Sequence, residues 1–250
     1  MPRQTYGSLK PVKGQIAAGN LDQAIQALLG KHAALLMALS TNKNTDDQTI
    51  IKCRLTLVET KLGVAYSLKK DFAKADIWFS KAHKHFAAFD PVTQERMDRE
   101  EATHLLRKGQ VYEALDLYTH TERGFRTMLR FGRSSLPEAR VELEHAITLS
   151  CKADTELLLN PSDIEAKETL EQVHTTLRAG NKPLYELDNL MRLIAHTSVF
   201  DPRRSGHIAR ATWINETVAH NPVIRLTLID ACCGPLPVKS LIQRIGIARD

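Results

Sequence analysis

At 250 residues, with 43% hydrophobic and 25% charged side chains, the chain has the apolar content of a folded globular protein and too much of it for a disordered one. Its 12 glycines and 10 prolines are too few for a turn-rich all-β fold, and helix-forming residues dominate. A formal net charge of +5 favours an acidic partner but falls far short of a nucleic-acid-binding tail.

The opening segment MPRQTYGSLKPVK lacks the apolar stretch of a signal peptide. The nearest apolar run, residues 33–39, is far shorter than the roughly 20 residues of a membrane span. A cytoplasmic protein without membrane attachment is expected. Cys53, Cys151, Cys232 and Cys233 show no CxxC spacing and no disulfide framework, which suits a reducing compartment.

Apolar residues recur at helical spacing along most of the chain, with punctuation every 15 to 25 residues or so. Helices are predicted near 9–18 and 21–39, then, after the polar loop 40–46, near 48–69 and 72–88. Asp90-Pro91 is a stop, because the residue before proline is pushed out of the α region. Helices near 92–108 and 110–131 follow. Ser135-Leu-Pro-Glu138 then reads as a helix start, with Ser as cap and Pro in the first turn, leading a helix to about 158. Asn160-Pro161-Ser162 ends it, and Ser162-x-x-Glu165 repeats the capping pattern. Further helices fit 163–179, 183–197 and 204–219. Beyond Asn221-Pro222, residues 223–231 suit either a strand or a buried helix, and 238–245 a short amphipathic helix.

The turns between paired helices look alike. Ala17-Ala-Gly-Asn-Leu-Asp-Gln-Ala24, Leu68-Lys-Lys-Asp-Phe-Ala-Lys-Ala75 and Arg107-Lys-Gly-Gln-Val-Tyr-Glu-Ala114 share a helix-ending residue, an apolar residue and then Ala three positions later. Leu177-Arg-Ala-Gly-Asn-Lys-Pro-Leu-Tyr-Glu186 has the same opening. Around the second turn, Leu62-Gly63, Tyr66, Ala75, Phe79 and Ala82 fall at the spacing of the tetratricopeptide repeat, and here the chain resembles that family. In that pattern a small residue at 63 lets two helices approach, while Tyr66 and Phe79 fill the groove between pairs. The match is fullest around residues 62–82 and looser elsewhere up to residue 196.

The resemblance implies an all-α solenoid of TPR-like helix-turn-helix repeats, a right-handed superhelix spanning 1–196, with 197–250 as a helical extension or cap. It also implies a partner groove lined by the first helix of each pair. Carried over position by position, the groove residues are Thr60, Val64 and Ser67, then Arg99, Thr103 and Leu106. The family's clamp for a C-terminal carboxylate needs Lys and Asn where Thr60 and Val64 stand, so a chaperone-tail binder is not expected.

The most directional charge feature is Arg123, Arg126, Arg130 and Arg133, whose 3-4-3 spacing sets all four on one face of a continuing helix. They form either an anion site or a solvated face paired with carboxylates such as Glu138 and Glu142. Arg203, Arg204 and Arg210 make a second basic cluster. Three Glu-x-x-His pairs, Glu101/His104, Glu142/His145 and Glu171/His174, could serve a carboxylate-bridged di-metal bundle, but their helices' apolar faces leave His145 and Glu171 pointing away. Trp78 and Trp213 read as core residues. No residue is nominated for catalysis, and no cofactor or metal is implied. The expected function is a non-enzymatic adaptor for an acidic protein or peptide. The alternatives are a basic nucleic-acid-binding scaffold and, last, a helical-bundle metalloenzyme.

Overall fold

The computed structural model describes residues 9–233, apart from residues 18, 86–90, 133 and 135. Its elements are α1 (Lys10–Ala17), α2 (Leu21–Thr41), α3 (Thr45–Leu68), α4 (Phe72–His85), α5 (Pro91–Lys108), α6 (Val111–Phe131), α7 (Glu138–Leu159), α8 (Ile164–Ala179), α9 (Pro183–His196), α10 (Pro202–Ile214), a π-helical turn (Asn215–Ala219) and α11 (Pro222–Cys233). No strand occurs among the described residues, so the all-α expectation holds. The segment 223–231, which the sequence allows as strand or helix, is helical within α11. Asp90, the Ser135 cap and the helix expected at 238–245 lie outside the described residues.

Four of the connections close with one hydrogen-bond scheme. Gly19, Lys70, Gly109 and Asn181 all have positive φ, between 50° and 85°. At the second turn, Lys70 N–H donates to the Ser67 carbonyl and Asp71 N–H to the Tyr66 carbonyl, both at 3.0 Å. This is the Schellman pairing, which satisfies carbonyls left over at a helix end. The pairs Gly19/Asn20, Gly109/Gln110 and Asn181/Lys182 repeat it in the same register. Five residues past each left-handed residue stand Ala24, Ala75, Ala114 and Glu186, and all four are buried. In the first three turns, the small side chain lets the new helix settle against the old one. The α7–α8 connection differs. Asn160 and Asp163 shape it, and the Asp163 carboxylate caps α8 by accepting from Ala166 N–H at 3.0 Å. Ser162, expected as that cap, instead donates to Asn160 Oδ1 at 2.7 Å.

Neighbouring helices pack pairwise along the chain, and α3, α5, α7 and α9 also touch in succession as a row. α3 and α4 approach closely at Gly63. A Cβ placed on Gly63 would sit 2.8 Å from the Phe79 ring, and Ala75 and Ala82 on α4 are fully buried. Gly63→Leu should therefore overpack the pair and destabilise the fold by roughly 1–3 kcal/mol, read as a lower urea midpoint. A neutral result would mean that Phe79 and α4 reseat without cost.

The later helices bury polar side chains as well as apolar ones. α9 is buried without a break from Glu186 to Ile194, although Glu186, Asp188, Asn189 and Arg192 are polar. Asn189 answers this by donating to the Leu170 carbonyl at 2.9 Å and accepting from Ser150 Oγ at 2.7 Å. Arg192 pairs with Asp154, whose other oxygen meets His196 at 2.9 Å. α10 and α11 pack beyond α9, sharing its apolar core through Ala211, Ile214, Ile224 and Leu228. Trp213, expected in the core, is 51% exposed, because that apolar face runs through Ala211 and Ile214 instead. The Arg210 guanidinium covers its ring at 4.5 Å. Among the described residues one helix, α2, is long and apolar enough to cross a membrane. Its Ala24, Ile25, Leu28 and Leu35 are buried in a core shared with α1 and α3.

Candidate functional site

The positions that the repeat register assigns to a groove are mostly covered. Thr60 is buried and donates to the Thr56 carbonyl at 2.8 Å. Val64 packs with Ala75 and Phe79, and Leu106 with Tyr118. Ser67, also buried, accepts from Arg107 at 3.3 Å. Half-buried Thr103 donates to the Arg99 carbonyl at 3.0 Å and shares a 2.8 Å hydrogen bond with the Tyr118 hydroxyl. Arg99 itself is buried against Glu144, its Nη2 at 2.9 Å from the carboxylate. A pocket between α3 and α5, beside Thr60, Arg96 and Met97, has a volume of about 30 Å³. That is room for about one water and not for a peptide.

The arginines of α6 are placed differently. The inner stripe of this helix, Ala114, Tyr118, Thr121, Phe125 and Met128, is buried. That leaves Arg123, Arg126 and Arg130 on the outer face, all exposed. Arg126 forms a 2.6 Å ion pair with Glu122 one turn back, yet its side chain stays 69% exposed. Arg130 lies 5.4 Å from the ring of Phe131, which is itself 59% exposed. Among the described residues, no carboxylate lies within ion-pair distance of Arg123 or Arg130. Glu138 and Glu142, the neighbours expected to neutralise this face, do not reach it. Arg133 lies outside the described residues.

No family model, curated protein or solved structure matches the chain. The functional reading therefore rests on what its own side chains can do.

Each arginine of the second basic cluster is paired within the chain, although Arg203 stays 66% exposed. Arg203 grips Asp201 with two hydrogen bonds of 2.8 and 3.1 Å, and these hold the Asp201 carboxyl down at about 2. Arg204 is buried and donates to the carbonyls of Ile194, Thr197 and Ala231, tying the end of α9 to α11. Arg210 forms a bidentate pair with Glu186, both contacts at 2.9 Å. Arg204 and Arg210 hold helices together, Arg203 braces the start of α10 while staying exposed, and α6 presents three exposed arginines on one face.

The Glu-x-x-His pairs do not converge. Glu101 meets His83 at 2.6 Å, while His104 turns to Asp76 at 2.8 Å. His145 reaches Glu122 at 3.1 Å, and His174 lies 3.8 Å from Glu186. Each carboxylate–imidazole contact joins two helices, which explains the motifs as packing devices.

Sequence reasoning also missed a cavity of about 590 Å³ bounded by α8, the end of α9 and the start of α10. Lys167, Glu171, His196, Thr197 and Asp201 line it. Several of these groups are already paired: His196 with Asp154 at 2.9 Å, Glu171 with His207 at 3.5 Å, and Asp201 with Arg203. Its walls come from three successive helices and the connection between α9 and α10, and no local motif announces it.

Proposed function

We propose that the chain is a helical-repeat scaffold of the TPR-like kind that binds an acidic segment of a partner protein, docked on the outer face of α6. The row α3, α5, α7 and α9 and the four matching Schellman turns support the repeat. The observation that carries the binding role is the exposed trio Arg123, Arg126 and Arg130, ending in the exposed Phe131. Guanidinium groups form paired hydrogen bonds with carboxylates, and an aromatic ring beside them gives a partner something apolar to cover. The trio spans eight residues, about 10 Å of helix, which suits two or three carboxylates of a peptide better than the length of a nucleic-acid backbone. Arg204 is buried on backbone carbonyls and Arg210 is paired with Glu186, which leaves less positive surface there for a nucleic acid. A scaffold of this kind catalyses no reaction.

A photo-crosslinking residue at Thr127, which is exposed among the arginines, tests the role. Crosslinked protein segments rich in Asp and Glu, lost when Arg126 and Arg130 are both changed to Glu, are the expected outcome. Equal yields from a probe at Glu113 on the same helix, or crosslinks chiefly to nucleic acid, would contradict it.

A further inference from the structure

α5 carries an acid at every third position, Glu95, Asp98 and Glu101, which sets the three along one side of the helix. α4 brings His83 to this side and α6 brings His120. Ligand atoms of Glu95, Asp98 and His120 all lie within 4.8 Å of one another, as do those of His83, Asp98 and Glu101. The two triads share Asp98.

They differ in what their members already bind. In the second triad, His83 and Glu101 satisfy each other at 2.6 Å. In the first, Glu95 is only 8% exposed and its Oε2 has no hydrogen-bond partner. Burying a carboxylate without a partner is costly unless something neutralises it.

The backbone also makes room for this group. A Cβ on Gly124 of α6 would land inside the Glu95 carboxylate. Glycine inside a helix is about 1 kcal/mol worse than alanine, so the gap is held open against local preference. Asp98 is oriented as well, both of its oxygens accepting from Gln94 Nε2 at 2.8 Å. His120 is exposed, which leaves an entry path from solvent.

We propose that Glu95, Asp98 and His120 bind one divalent first-row transition-metal ion of the zinc type, pinning α5 to α6. Two carboxylate oxygens and one imidazole nitrogen favour such an ion over Mg²⁺ or Ca²⁺, which prefer all-oxygen shells. Its two positive charges match the two buried acids. The ligand atoms need to close by roughly an ångström to reach bonds of about 2.0–2.2 Å, a shift within side-chain freedom. Solvent can complete the shell on the His120 side.

The test is calorimetric titration of the chelator-stripped full chain with Zn²⁺ at pH 7.5, with Mg²⁺ as control. One Zn²⁺ per chain at micromolar affinity or tighter, a raised thermal midpoint and no response to Mg²⁺ are expected. Glu95→Gln, which keeps the side-chain shape, and His120→Ala, at an exposed position, should each weaken binding at least 30-fold while remaining folded. His83→Ala should change it less than threefold. The proposal is overturned if the wild-type chain takes up no stoichiometric Zn²⁺, or if Glu95→Gln and His120→Ala bind as wild type. It is equally overturned if His83→Ala loses as much as His120→Ala.

Discussion

Glu144→Ala should destabilise the fold by about 3–5 kcal/mol, the usual cost of removing one member of a buried ion pair. Glu144 is 1% exposed on α7 and receives Arg99 at 2.9 Å, Arg140 at 2.6 Å and Arg96 at 3.4 Å. Arg99 also donates to the Glu144 carbonyl at 3.2 Å and lies 3.4 Å from Thr148 Oγ1, so its position does not depend on the carboxylate alone. The substitution therefore strands a cation inside, where a buried charge is most expensive. Removing both partners, as Arg99→Met with Glu144→Leu, should recover most of the loss, since an apolar pair of similar volume is often no worse. Urea midpoints of the three proteins decide this, and additive losses in the double variant would contradict the pairing.

The same carboxylate gives the fold an acid-sensitive component. Burial alone would raise its pKa, but Arg99, Arg96 and Arg140 outweigh burial and hold it below its ordinary value of 4.5. A group whose folded pKa is depressed stabilises fully above the unfolded value and loses that contribution as pH falls through the folded one. Stability should therefore drop below about pH 4.5, and Glu144→Ala should lack this part of the drop.

The helices and their order were legible because they follow local rules. Gly19, Lys70, Gly109 and Asn181 mark helix ends by their left-handed backbone, and three of the four are Gly or Asn, the residues that tolerate it. Ala166, Leu170, Val173 and Leu177 read as one apolar face and are all buried. What the sequence did not disclose depends on contacts far apart in the chain. Arg99 sits at a groove position in the repeat register, yet Glu144, 45 residues later, draws it inside. Nothing near either residue signals that partnership. The Glu95, Asp98, Glu101 stripe went unread in the sequence, because its meaning depends on Gly124 and His120 from another helix. The arginines of α6 lay between these cases. Their shared face followed from the helical period, whereas their freedom from Glu138 and Glu142 required coordinates.

Reversing Arg126 and Arg130 to Glu should weaken binding of an acidic peptide by roughly 30–100-fold, about 2–3 kcal/mol. Single exposed ion pairs contribute only about 0.2–1 kcal/mol, but reversal replaces attraction with repulsion at two points of one contact. Arg126→Glu also breaks the pair with Glu122 and sets two acids one turn apart, a cost to the helix of only a few tenths of a kcal/mol. The fold should therefore survive, and its thermal midpoint should move by no more than a few degrees. The deciding measurement is fluorescence titration of a labelled Asp/Glu-rich peptide containing one aromatic residue, alongside a Gly/Ser peptide and a short DNA duplex, against both proteins. Selective binding of the acidic peptide by the wild-type chain, lost in the reversed variant, is what the scaffold account predicts. Equal affinity in the two proteins, or tighter binding of the duplex than of the peptide, would contradict it.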